Sequence, residues 1–177
     1  MNDKIYVSIY LITNFVYGTL FSSFGPLVPF LSSITQLPES HFTIIFTMRG
    51  LGYLLGGFAK HIFFNSFDMH RGMGFGCLGT AIGCCLFTLS LKAIWLAAMC
   101  FLISICLFIL DIFINVSLMQ RGRERIKLYM TLSYTFLSLG NIAGSFLVSK
   151  FGTESMVMMG ISWIVLTVVY FLLPSFS

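Results

Sequence analysis

Residues Thr43 to Gly57 read TIIFTMRGLGYLLGG. The stretch is apolar enough to enter a bilayer, yet it carries Arg49. Gly52, Tyr53 and Gly56 follow that charge at spacings of three, four and seven residues. On an α-helix these four residues share one face. A guanidinium in hydrocarbon costs roughly 3 kcal/mol on insertion scales, so it faces a bundle interior, a wet cavity or a partner. Gly52 and Gly56 form a G-x-x-x-G step, which lets a second helix approach closely. The expectation is a membrane helix that packs on one neighbour and aims a cation at something polar.

The rest of the chain supplies the surroundings. Of its 177 residues 58% are hydrophobic and 9% charged, and the mean hydropathy is +0.96. Soluble domains average about 25% charged residues. So much apolar surface cannot be hidden in a core of this size, and part of the solvent must be lipid. The net charge of +4 is small, and no basic run is interleaved with aromatics, which argues against nucleic-acid binding. Cys77, Cys84, Cys85, Cys100 and Cys106 lie in apolar runs without metal or disulfide spacing. They read as small buried packing residues. No His/Asp, Cys/His or Ser/Lys set is placed to act together, so no enzyme chemistry, metal or cofactor is expected.

Six spans emerge, each near the ~20 residues a membrane helix needs. They run from Ile5 to Leu31, Thr43 to Phe58, Gly72 to Leu91, Ile94 to Met119, Leu128 to Ser149 and Met156 to Leu173. Pro26 and Pro29 are expected to bend or end the first. Ala59 to Arg71 reads as a basic, aromatic connection at the interface. His41, His61 and His70 have no metal spacing and read as solvated loop residues. The short connections hold Lys4, Lys60, Arg71, Arg121, Arg123, Arg125 and Lys127 on one side, and Lys92 and Lys150 on the other. The richer side is expected to be cytoplasmic, with both termini inside.

Polar residues inside lipid seek each other or water, so their placement locates a cavity. Tyr10, Asn14, Tyr17 and Gly18 share a face of the first helix. Arg49, Gly52, Tyr53 and Gly56 share one on the second. Ser104, Asp111 and Asn115 align on the fourth, and Tyr134, Ser138, Asn141 and Ser145 on the fifth. The third and sixth carry no such stripe and read as lipid-facing backing. Four striped helices around a wet path, backed by two others, account for this division.

Two of these segments resemble a known family. FTMRGLGYLLGG (Phe46 to Gly57) and LDIFIN (Leu110 to Asn115) are similar to the second and fourth helices of the sodium-dependent glucose transporter-like branch of the major facilitator superfamily. The helix-and-loop alternation looks like the N-terminal half of such a transporter. The superfamily's usual loop signature, G-x-x-x-D-R-x-G-R-R, is absent, and His61 stands where its Asp would be.

The resemblance implies one half of a twelve-helix carrier that moves a hexose or similar polar solute by alternating access. It implies substrate contacts from Asn14, Tyr17, Arg49, Tyr53, Tyr134, Ser138 and Asn141. It implies ion coupling, by sodium or protons, at Asp111 with Asn115. The expected partners are membrane lipid, the solute, and a second six-helix half or another copy. The plasma membrane is expected rather than an internal one, and the chain reads as a truncated or partial one. Bland alternatives stand beside these: an outward-snorkelling Arg49, a structural Asp111, and polar residues that only tie helices together. At the level of the whole chain, the alternative is a membrane interaction protein that transports nothing.

Overall fold

The structure is a computed structural model that describes residues 3–66, 68–121 and 125–172, with side chains for all of these except 3–4, 59–66 and 121. Among the described residues there are six α-helices and no strand. They are α1 (Asp3–Thr35), α2 (Ile44–Ser66), α3 (Met69–Phe87), α4 (Ala93–Arg121), α5 (Ile126–Phe151) and α6 (Glu154–Leu172). A single 3-10 turn, Glu39–Phe42, joins α1 to α2.

Ile5–Thr35, Ala93–Gln120, Ile126–Phe151 and Glu154–Leu172 are long and apolar enough to cross a membrane. The chain is therefore an all-α, multi-pass membrane protein. α2 and α3 are helical as expected but are not among those four. For α2 the described side chains end at Phe58, too short a run to count, while α3 opens on Met69-His70-Arg71 and carries a glycine in almost every turn.

Several boundaries differ from expectation. Pro26 and Pro29 do not end the first helix, which runs through both to Thr35. Each proline forfeits one backbone bond, and packing against neighbouring helices tolerates that loss. What stops α1 is Gln36, whose φ of 57° is left-handed, with Pro38 two residues on. The connection expected over 59–71 is also mostly helical, because α2 continues to Ser66 and α3 starts at Met69. Lys4, Lys60, His61, Arg121 and Arg123 lie outside the described side chains.

α1 packs mainly on α5, and α2 on α4; α3 packs on both α4 and α6. Glycine makes each approach close. A Cβ on Gly52 would sit 2.6 Å from the Phe101 carbonyl oxygen, and one on Gly56 would sit 2.9 Å from Phe108 Cβ. The G-x-x-x-G step of α2 thus meets α4. Gly140 and Gly144 of α5 lie against the backbone carbonyls of Phe15 and Thr19 on α1.

The sixth helix exposes Val157, Met158, Ile161, Val165 and Val168, as a lipid-facing helix would. α3 does not fit that expectation. It buries residues against two neighbours, and Phe75, Leu78 and Ile82 mark its narrow exposed strip. The absence of a polar stripe along it reflects tight packing rather than a broad lipid face. His70 is a related correction. It is 4% exposed and sits 5.2 Å from the Tyr6 ring and 6.4 Å from Tyr10. The early start of α3 carries it into the bundle. Cys77, Cys84 and Cys100 are buried as expected, but Cys85 is exposed.

Candidate functional site

Arg49 lies one turn before Tyr53 on α2, and both turn towards α1. The Arg49 guanidinium carbon is 4.1 Å from the Phe21 ring centre, 4.7 Å from Phe24 and 5.9 Å from Tyr53. Such cation–π contacts are worth about 2 kcal/mol when water is excluded, which offsets much of the cost of placing Arg49 in an apolar helix. Arg49 Nη2 is buried and has no hydrogen-bond partner. The side chain is therefore held in place by rings while part of its donor edge stays unmet.

One turn along, the Tyr17 and Tyr53 hydroxyls are 3.1 Å apart and hydrogen-bonded. This bond links α1 to α2. Tyr17 stacks on Phe21 at 6.1 Å, and Phe21 meets the edge of Tyr53 at 6.2 Å. Tyr53 in turn packs edge-on against Phe108 of α4 at 5.9 Å. The cluster is thus built by three helices: Tyr17, Phe21 and Phe24 from α1, Arg49 and Tyr53 from α2, and Phe108 from α4. The close α2–α4 approach at Gly52 and Gly56 is what brings Phe108 within reach of Tyr53.

Asp111 stands further along α4 and is half-buried. Asn115 donates its side-chain amide to Asp111 Oδ1 at 3.1 Å. The pair expected from their four-residue spacing is present. Arg49 and Asp111 form no ion pair; the salt bridge among the described residues is Arg71–Asp68, at 4.0 Å on the surface.

The other expected contacts fall elsewhere. Asn14 is 4% exposed, and its amide donates to the Ser133 hydroxyl of α5. It ties α1 to α5 and is not part of the Arg49 cluster. Thr13, beside it, bonds the Tyr170 hydroxyl of α6 at 2.8 Å. Tyr134 is 57% exposed, and the Ser138 hydroxyl donates to the Tyr134 carbonyl at 2.9 Å. Among the described residues no hydrogen bond or ring contact joins those two to Arg49. Asn141 is half-buried against α1; its backbone carbonyl accepts from Ser22 at 2.6 Å, while its Oδ1 is buried without a partner. Ser104 is buried and returns its hydrogen bond to the Cys100 carbonyl at 2.7 Å.

Sequence reasoning missed Phe21, Phe24 and Phe108. A signal was present for the first two, because they follow Tyr17 at four and seven residues on one helical face. Weighing hydrogen-bonding groups alone hid it, since the partners of Arg49 are rings.

An apolar groove of about 290 Å³ opens between α1, α5 and α6, lined by Phe15, Thr19, Phe146, Leu147 and Met159 among others. It offers a polar solute almost nothing to bond and lies away from the Arg49 cluster. The chain matches no family model, and no curated protein matches it.

Proposed function

We propose that this bundle is one half of a membrane solute carrier of the major facilitator type. All six helices span the membrane in this reading, including α2 and α3, and both termini face the cytoplasm. The observation that carries it is Arg49. A cation in an apolar helix is costly, and here aromatic rings hold it with a donor unspent. A structural arginine would be expected to spend its donors on carbonyls or carboxylates. The neighbouring Tyr17–Tyr53 hydroxyl pair adds groups able both to donate and to accept.

Polar solute is the class this chemistry favours; the resemblance of Phe46–Gly57 and Leu110–Asn115 to the glucose transporter-like branch narrows it to a hexose or similar molecule. Asp111, held by Asn115, is the group we assign to sodium or proton coupling. Alternating access needs a second bundle to close the path, which a second copy of this chain supplies in this reading. Among the four helices long and apolar enough to span, α5 is the least buried, with 22% of its spanning window buried, which leaves it surface for one.

The test is uptake of labelled glucose by proteoliposomes containing the chain. Uptake above that of empty vesicles, lost in Arg49→Ala and reduced in Asp111→Asn, supports the carrier. Uptake no greater than in empty vesicles, or unchanged in both variants, overturns it.

The open face of α5 also fits a membrane interaction protein that transports nothing. Thr131, Tyr134, Thr135 and Ser138 are all exposed on it. A stable complex with an unrelated membrane protein, combined with no uptake, would favour that reading.

A further inference from the structure

We infer that the solute engaging Arg49 is an anion, specifically a small hydroxylated carboxylate, rather than a neutral sugar. This rests on the carrier reading and narrows its substrate class.

Charge accounting motivates it. The chain has six acidic residues. Glu39, Asp68 and Glu154 lie at turns or helix starts, and Asp3 and Glu124 lie outside the described side chains. Asp111 is the acid within a spanning helix, and it is held by Asn115 and makes no ion pair with Arg49. No described carboxylate therefore neutralises the guanidinium. Phe21 and Phe24 shield it from water without cancelling its charge. Low dielectric strengthens the pull on any anion that arrives.

Geometry selects the kind of anion. A guanidinium presents its N–H groups as a planar fork that matches a carboxylate. Arg49 Nη2 is the prong left buried and unpaired. One helical turn away, the Tyr17–Tyr53 bond uses one hydroxyl donor and leaves the second for a ligand. A carboxylate at Arg49 with a hydroxyl-bearing ring reaching the two tyrosines uses both sets. A neutral hexose would satisfy the tyrosines but leave the cation uncompensated.

Equilibrium binding of labelled glucuronate and labelled glucose to the chain in neutral-lipid nanodiscs tests this. Glucuronate should bind at least about tenfold more tightly than glucose. Arg49→Gln should weaken glucuronate by a similar factor and glucose by less, so that the preference between them is lost. Arg49→Lys should recover part of the difference, because it restores the charge without the fork. Circular dichroism on each variant reports whether the helices remain.

Equal binding of the two solutes, or glucuronate binding unaffected by Arg49→Gln, overturns the inference. So does binding of neither solute by chain that keeps its helicity. Uptake in proteoliposomes separates the two proposals. Glucose uptake that depends on Arg49, without glucuronate preference, sinks the anion and keeps the carrier. Glucuronate binding without uptake of either solute keeps the anion site and sinks the carrier.

Discussion

α1 has two polar sides, and they are built differently. Towards α5 and α6, Asn14 donates to Ser133 and Thr13 bonds Tyr170, all of it buried. Towards α2, Arg49 leaves Nη2 unpaired and Tyr17 meets Tyr53 at a half-buried edge. On the first side these four side chains pair among themselves, although Asn141 Oδ1 nearby is unmet; on the second the unmet group is a cation's donor. Polar groups in the first tie helices to one another, and Arg49 in the second keeps a donor unspent. In the carrier reading we propose, stripes that look alike along the sequence serve separate ends, adhesion on one side and recognition on the other.

Variants can break or sharpen this contrast. The largest effect is expected from Gly144→Leu. Its side chain would run into the Thr19 carbonyl and Ser22 hydroxyl of α1, where no flexible group can yield enough. We expect a loss of about 3 kcal/mol or more in stability, or failure to fold, read by thermal unfolding in detergent. A variant as stable as the parent would mean that the α1–α5 contact is not close.

Asn14→Leu removes the buried bond to Ser133 and leaves that hydroxyl unmet. Interhelical bonds in membranes are worth about 0.6–2 kcal/mol, so the melting temperature should fall by a few degrees. Glucose uptake per folded molecule should persist, as expected of adhesion. Uptake abolished at full stability would move Asn14 to the recognition side.

Arg49→Leu should do the reverse. It removes a costly charge and fills the space with an apolar side chain, so stability should hold or rise slightly, by about 1 kcal/mol at most, while uptake is lost. A pronounced drop in melting temperature would show that the rings and Arg49 form a structural joint.

Smaller again is Tyr53→Phe. It keeps the packing against Phe108 but removes one partner of the Tyr17 hydroxyl. Stability should change by about 0.6 kcal/mol, and solute affinity should weaken severalfold. Ser138→Ala should change least. Its hydroxyl is exposed and returns to its own helix, so both stability and uptake should stay within about 0.5 kcal/mol of the parent. A severalfold loss of uptake there would extend recognition to α5.

Much of the local structure was legible beforehand. The hydrophobic runs marked all six helices, and the glycine spacing in α2 identified its packing face. Asp111 and Asn115 were paired by their position on one helix. The ends were harder. Pro26 and Pro29 looked like terminators because a lone helix has nothing to offset the lost bonds, whereas packed neighbours do. His70 looked like a loop residue because its helix begins earlier than the glycine-rich run suggested.

Amino-acid order alone determined that this chain forms apolar helices, that one of them carries a cation beside glycines, and which residues share each helical face. Those properties depend on contacts within a few residues, which periodicity records. Tertiary structure decided which face meets which. It put Asn14 against Ser133, gave Arg49 to Phe21 and Phe24, and wedged α3 between α4 and α6. The physical reason is that a helical repeat fixes direction about one axis only; the rotation and depth of the neighbouring helix come from close packing across the bundle.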